Sequence, residues 1–590
     1  MKFKYFENIA RIIFNEQNSD TNTFIPYLIE ENLIEETYKK SNLFDIKIDL
    51  LKALKQSSNY YLNNYISNFS KVRNNHDANY FLSLLESFTV INNYDEKSMN
   101  ILYDGYKKIN ENTNLEKSDL PTFYIIIPVA DRPLFIQNIL NSINKELNLF
   151  KFPSKKVIVN IFYDSLNENI DLNNYCFKIN IWNLQDQIDF LRNHVDLENE
   201  KYTFFFRKIP KENLSDWSYK GASSTMNISR LIMYKTTSAY ENSLFWFLDS
   251  DEEFSILSKN LNTFKIVENA YSIFHSYTNV FETMEIEAAT GKCVGDPPFS
   301  GNQMIKTALI DKLKNSDKIL NIQEYYNENL SYLDLDILPR KRYPNFYYEG
   351  YPIIPFQEKS KTNYHPIHNV LFGHHTSRPI CYHPKSYYFN SNGNINRQLG
   401  FTKFIYPGNF ICKREILKYP SFFSNSKIRM HGAIYGHLLS NIGKKVSECF
   451  IPVFHRRVLN PFEIFENEFR AGIKVNIKNN LIDSSSLWFK QIEGDLVLSL
   501  IMNNFEEDSF KICLDKHLRN ILEIRKIITE FTSDQIENDR SLKLLIESSL
   551  LSINNLETPD QENSINLAKS ISNNIKNMDK WLNIWMNLII

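Results

Sequence analysis

The stretch Leu244-Phe245-Trp246-Phe247-Leu248-Asp249-Ser250-Asp251-Glu252-Glu253 runs five apolar residues straight into a group of carboxylates. An apolar run of this length suits a strand buried on both faces, as in the parallel sheet of an α/β domain. Ligands of such sheets bind just beyond the carboxyl ends of the strands. Asp249 and Asp251 therefore stand where a ligand would sit, and a bend after Leu248 would turn both carboxylates toward one hard cation. The plainer reading is a solvated turn after a core strand. Taken alone, an acid-x-acid triplet is a weak signal.

Working outward, the residues before this stretch read as alternating strands and helices. Phe123-Tyr124-Ile125-Ile126-Ile127-Pro128 is a short buried-strand pattern, followed by the loop Val129-Ala130-Asp131-Arg132-Pro133. Pro133 suits the first turn of a helix, and Ile136, Ile139, Leu140 and Ile143 give that helix an apolar stripe. A second strand is expected over Val157–Tyr163, ending at Asp164, and another over Tyr202–Phe206. The small residues Gly221-Ala222-Ser223-Ser224 suit a helix start close to a ligand, with Ile228, Leu231 and Ile232 on its inner face. This alternation predicts βαβ units and a parallel sheet.

On the far side the pattern weakens between 255 and about 400. Gly291–Asn302 is dense in turn residues and reads as a loop. Order returns at Tyr406–Glu415, at a helix opening near Arg429-Met430-His431-Gly432 and running to Gly443, and at a strand Cys449–Phe454 that ends in His455. Residues 1–118 and 463–590 carry helical periodicities, for example Phe81, Leu84, Leu85 and Phe88, and Ile521, Ile524 and Ile528. The expected division is a helical N-terminal domain over 1–118, an α/β domain over 119–462 and a helical C-terminal domain over 463–590.

Composition excludes some partners. The 590 residues are 43% hydrophobic and 23% charged, with a formal net charge of -2. No global field recruits nucleic acid or an acidic membrane. The six cysteines (Cys176, Cys293, Cys381, Cys412, Cys449 and Cys513) form no CxxC pair, which favours reduced thiols over a disulfide frame. The N-terminus lacks the apolar core of a signal peptide, and no uncharged apolar run reaches the ~18 residues of a spanning helix. These features together predict a cytoplasmic protein without a transmembrane segment, leaving peripheral membrane contact and oligomers through the helical domains open.

Two further groups attract attention and are discounted. Asp334-Leu335-Asp336 is also acid-x-acid, but no apolar strand precedes it. His365, His368, His374, His375 and His383 with Cys381 match no usual zinc spacing. The His-Pro and Gly-His steps of this Tyr- and His-rich region read as loop.

The order of the pieces carries more than any one of them. A strand ends in Pro128-Val129-Ala130-Asp131-Arg132-Pro133, and a second ends at Asp164. A small-residue segment follows with Asn227, and then the Asp249-Ser250-Asp251 strand. In this order the chain resembles the nucleotide-diphospho-sugar glycosyltransferases of the GT-A fold, in particular the family 2 group. The resemblance covers roughly 122 to 255, with a weaker echo over 406 to 457, where Gly408-Asn409 and Lys413-Arg414 look like that family's Gly-Asn and Arg-Arg. It implies a Rossmann-like, mostly parallel α/β core and transfer of a sugar from a nucleotide-diphosphate donor to a glycan, a protein or peptide, or another hydroxyl acceptor.

The resemblance also implies site roles. Asp251 and Asp249 would hold Mn²⁺ or Mg²⁺, a use that suits two carboxylates plus donor phosphates. Asp249 would alternatively touch the ribose, and His455 would add a ligand. Val129, Asp131 and Asp164 fall where the family approaches base and ribose. Asn227 matches the family's Asn, but Met226 stands where an Arg is expected, and Arg230 one turn later is offered as the missing cation for the diphosphate. The family's Glu-Asp pair with the catalytic base would fall near His431-Gly432, where no carboxylate is present. His431 and Asp296 are the substitute bases considered, since a histidine can work near neutral pH. The rivals are a degenerate GT-A scaffold and a sugar-phosphate nucleotidyltransferase. The latter would want a Gly-rich phosphate loop after the first strand, which this chain lacks.

Overall fold

The computed structural model describes residues 89, 94–112, 120–129, 133–165, 172, 174–195, 205–209, 217–218, 220–239, 241–260, 263–283, 285–295, 309, 402, 405–421, 431–455, 474–476, 481–503, 505–538, 540–576, 583–585 and 587–588. Most of the expected N-terminal domain lies outside them, as do Asp131, Asp296, Asp334-Leu335-Asp336 and the histidine-rich segment from His365 to His383.

The chain enters with α1 (Glu96–Asn112) and then alternates strands and helices: β1 (Thr122–Val129), α2 (Pro133–Phe150), β2 (Val157–Tyr163), β3 (Lys178–Trp182), α3 (Leu184–His194), α4 (Ala222–Thr236) and β4 (Ser243–Leu248). The two-residue β5 (Glu252–Glu253) follows, then a hairpin of β6 (Ser255–Asn260) and β7 (Thr263–Glu268), α5 (Ile273–Thr283) and β8 (Ala288–Gly295). After these come β9 (Asn409–Lys413), α6 (His431–Asn441) and β10 (Val446–His455). A small hairpin, β11 (Lys474–Asn476) and β12 (Leu481–Asp483), leads to the helices α7 (Ser485–Met502), α8 (Glu507–Thr529), α9 (Ser533–Asn538), α10 (Arg540–Asn554) and α11 (Gln561–Lys576).

Local chemistry sets several of these boundaries. Pro133 opens α2, where a missing N–H costs nothing. A reciprocal capping box between Asn183 and Asp186 starts α3. Gly443, at φ +76°, ends α6: Lys444 N donates to Leu439 O and Gly443 N to Ser440 O, the paired bonds of a Schellman motif.

Eight strands form one sheet in the order β3-β2-β1-β4-β9-β8-β10-β5. β3, β2, β1 and β4 are parallel neighbours, β8 and β10 pair in parallel, and β9 runs antiparallel between β4 and β8. β5 is reversed against β10. The sheet is thus mostly parallel, the core of a mixed α/β fold. The chain builds outward from β1 to β2 and β3, then returns to place β4 on the other side of β1. The carboxyl ends of β1 and β4 therefore flank a topological switch point, where open α/β sheets bind ligands.

The pleat sends alternate side chains of β4 to two cores. Leu244, Trp246 and Leu248 join α2 and α5 on one face, while Phe245 and Phe247 join α3, α4 and α6 on the other. The second core continues into the C-terminal helices through Leu496, Leu500 and Phe510, and the Trp585 ring sits 5.0 Å from that of Phe205.

Two expectations are corrected. Phe205 and Phe206 lie in a turn rather than a strand; both are buried, and their apolar run serves packing against Trp585. The third strand of the sheet is Lys178–Trp182, an edge strand. The start of the turn-rich segment, Gly291 to Gly295, completes β8 instead of forming a loop.

Candidate functional site

Asp249-Ser250-Asp251-Glu252 closes a tight turn directly after β4. Glu252 N donates to Asp249 O at 3.3 Å, and Asp249 N donates back to Glu252 Oε2 at 3.2 Å. Asp249 is half-buried and Asp251 is buried. Glu252 is only 1% exposed, and its other oxygen accepts from the Tyr406 hydroxyl at 2.5 Å. Burial pushes the Glu252 carboxyl well above the usual range, and the nearby charges of Asp249 and Asp251 push it further, against the Tyr406 hydrogen bond.

The opposite wall is the start of β9. Asn409 is fully buried; its Oδ1 accepts from Trp246 Nε1 at 3.0 Å and Tyr277 Oη at 2.6 Å, and its Nδ2 donates to Ile451 O at 2.8 Å. This amide ties β4, α5, β9 and β10 together at the level of the acid turn. Gly408, just before it, lets the turn come close: a Cβ there would lie 2.6 Å from Asp249 Oδ2 and 2.7 Å from Glu252 Oε1. Gly408→Ala should therefore displace both carboxylates and cost about 1–3 kcal/mol, as overpacking does. Chemical denaturation of the purified variant checks this.

β10 brings His455 into the same place. Its backbone pairs with Glu252 on one side and with Gly295 at the end of β8 on the other. Asp296, beyond Gly295, is outside the described residues. His431 is the first residue of α6. The next residue, Gly432, packs so tightly that a Cβ would sit 2.1 Å from Ile405 O and 2.7 Å from Pro407 Cδ. The amino end of α6 thus abuts the loop whose Gly408 touches Asp249.

The residues expected on the nucleotide side are held differently. Val129 ends β1, buried, and its carbonyl accepts from Asp164 N at 2.6 Å. Asp164 follows β2 and holds the segment leading into α4: it accepts from Lys220 N, Gly221 N and Lys220 Nζ at 3.0, 3.0 and 2.8 Å. Lys220 is buried against the Trp217 ring. Burial lowers its proton affinity, while Asp164 acts in the other direction. Asn227 is fully buried, donating to Phe205 O and Ser421 O and accepting from Ser421 N. The Arg230 guanidinium lies between the Phe247 and Tyr435 rings, at 5.0 and 4.5 Å, and is 2% exposed.

Asp249, Asp251 and the backbone of His455 therefore gather at one sheet end, with the α6 start next to the same loop. Asp164, Asn227 and Arg230 are engaged inside the fold around α4. Sequence reasoning passed over Glu252 and Tyr406. Glu252 stands three residues after Asp249, but nothing in the sequence pairs it with a phenol 154 positions away.

Among the described residues, no group of three or more His, Cys, Asp or Glu side chains is placed to hold a metal ion. Two carboxylates remain, a donor set that fits Mg²⁺ or Mn²⁺ when substrate phosphates supply further ligands. No helix among the described residues is long and apolar enough to cross a membrane. No family model matches the chain, and no curated protein does. Among solved structures the chain is similar to the mannosyltransferase PcManGT from Pyrobaculum calidifontis in complex with GDP-Man and Mn2+. The identity is 8% and the TM-score 0.28, over 86% of this chain and 96% of that one. A likeness that loose carries no argument for fold or activity.

Proposed function

We propose that the chain is a metal-dependent glycosyltransferase that moves a sugar from a nucleotide-diphosphate donor to a hydroxyl on a glycan, protein or peptide. The observation that carries this reading is the placement of Asp249 and Asp251 at the carboxyl end of β4, beside the switch point with β1. Asp249 and Asp251, with His455 as a further candidate, would hold Mn²⁺ or Mg²⁺. Such an ion neutralises negative charge growing on a diphosphate leaving group.

The chain's own residues have the remaining tasks. Val129 and Asp131 are proposed to border the base and ribose. Asp164, Asn227 and Arg230 are proposed to support that pocket from beneath, Arg230 adding positive charge in a poorly screened interior. His431 or Asp296 would take the proton from the acceptor hydroxyl. His431 has in its favour the contact between the α6 start and the Gly408 loop.

A scaffold that keeps the fold without turnover is the second reading. The internal engagement of Asp164 and Asn227 favours it. Release of nucleoside diphosphate separates the two. Incubation with a panel of UDP- and GDP-sugars and Mn²⁺ should free the nucleotide from at least one donor. No release from any donor, in a folded protein, would favour the scaffold.

A further inference from the structure

Glu252 is the least explained group near the site. A carboxylate almost fully removed from water, with two other carboxylates in its own turn, is a costly thing to bury. Its hydrogen bonds say what it does. One oxygen accepts from Asp249 N and the other from Tyr406 Oη. Tyr406 is itself anchored, its N donating to Thr290 Oγ1 in β8 at 2.9 Å. The backbone of Glu252 pairs with His455. Glu252 and Asp249 also share the space that Gly408 leaves open. The turn bearing Asp249 and Asp251 is thus buckled to β8, to the loop entering β9 and to β10 through one residue: the Glu252 side chain reaches Tyr406, and the Glu252 backbone reaches His455.

We infer that Glu252 and Tyr406 are positioning residues for the cation site proposed above: they fix the direction of the Asp249 and Asp251 carboxylates, and neither is a ligand. The inference rests on that proposed site and goes beyond it, since neither residue belongs to the acid-x-acid pair. Glu252 accepts two hydrogen bonds inside the fold, so its oxygens face the protein frame. Tyr406 fixes the far end of the buckle with a single hydroxyl. Partners of this kind behind a ligand set the orientation of the ligand, and their loss typically weakens metal binding about 10–100-fold.

The test is Mn²⁺ titration of the full chain, with free Mn²⁺ read by electron paramagnetic resonance and stability read by thermal melting. Tyr406→Phe should weaken Mn²⁺ binding about tenfold. Tyr271→Phe is the control, since it removes a comparable buried hydrogen bond, from Tyr271 Oη to Pro452 O at 2.6 Å, that involves no residue of the turn. It should leave Mn²⁺ affinity unchanged while melting close to Tyr406→Phe. Glu252→Gln keeps an acceptor and an amide at the same place and should weaken binding far less than Asp251→Asn does.

Equal Mn²⁺ affinities for Tyr406→Phe and Tyr271→Phe, in a protein that binds Mn²⁺, would overturn the inference and leave the proposed site standing. A Glu252→Gln loss as large as that of Asp251→Asn would make Glu252 a ligand and overturn it too. If the unsubstituted chain binds no Mn²⁺, either alone or with a nucleoside diphosphate present, the proposed cation site fails and the inference fails with it.

Discussion

Asp251→Ala should lower sugar transfer by about a thousandfold while the protein stays folded. The magnitude follows from removing several kcal/mol of charge stabilisation at a diphosphate leaving group, at about 1.4 kcal/mol for each tenfold in rate. The folded state should not suffer in proportion. Asp251 lies close enough for its charge to oppose ionisation of the buried Glu252. Its removal relieves repulsion within the turn, so the melting temperature should hold or rise slightly. A site residue that costs stability is what a stability–activity trade-off produces. Steady-state kinetics and a melting curve on the same preparation check both parts. A variant that melts far below the parent would reassign Asp251 to the frame of the turn.

Asp164→Ala should have the opposite profile, a loss of fold. Asp164 is the carboxylate partner of Lys220, whose side chain is fully buried, and it also accepts the backbone N–H groups of Lys220 and Gly221, just before α4. Removing one member of a buried ion pair leaves the other charge stranded, at about 3–5 kcal/mol. The melting temperature should fall by about 10 °C. Asp164→Asn should recover part of this, because an amide oxygen can still accept from a backbone N–H.

The deficit should depend on pH. Burial already depresses the Lys220 proton affinity, and Asp164 is the influence opposing that. Without Asp164 the folded-state value falls further. Between that value and the ordinary lysine value of about 10.4, the unfolded chain binds more protons, so stability rises with pH. The gap between variant and parent is therefore widest below the depressed value and narrows as the solution becomes alkaline. Denaturant melts at neutral and alkaline pH measure it. A gap that stays constant would place the loss in the backbone hydrogen bonds rather than in the stranded charge.

What could be read in the sequence followed burial. β1, β2, β4 and the core of β10 are short apolar runs because both of their faces are covered, and continuous apolar runs stand out. β3 did not stand out. Its Lys-Ile-Asn-Ile-Trp pattern alternates, since an edge strand meets water on part of its surface. Phe205-Phe206 departs from the strand pattern for the converse reason: an apolar pair can serve a turn that packs on a distant helix, and Trp585 lies far along the chain. β8 does not stand out because Ala288-Ala289-Thr290-Gly291 holds small residues; at Gly291 the close approach of Asn409, Ile451 and Tyr277 leaves no room for a Cβ.

The site divides in the same way. Asp249 and Asp251 were visible as acids after a strand. The turn geometry, the Gly408 contact and the Tyr406 hydrogen bond depend on β9 entering antiparallel beside β4 from 154 or more residues away, and no local pattern encodes that. Asp164 is visible as a strand-end acid, but no local pattern pairs it with Lys220, 56 positions on.

The most direct measurement is the thermal shift of the full chain with nucleoside diphosphates, with and without Mn²⁺, for the parent and for Asp251→Ala. Stabilisation by at least one diphosphate that requires Mn²⁺ and disappears in Asp251→Ala is the expected result. No stabilisation by any nucleotide, or one that survives both metal removal and the substitution, would contradict a cation-bridged donor at the Asp249-Ser250-Asp251 turn.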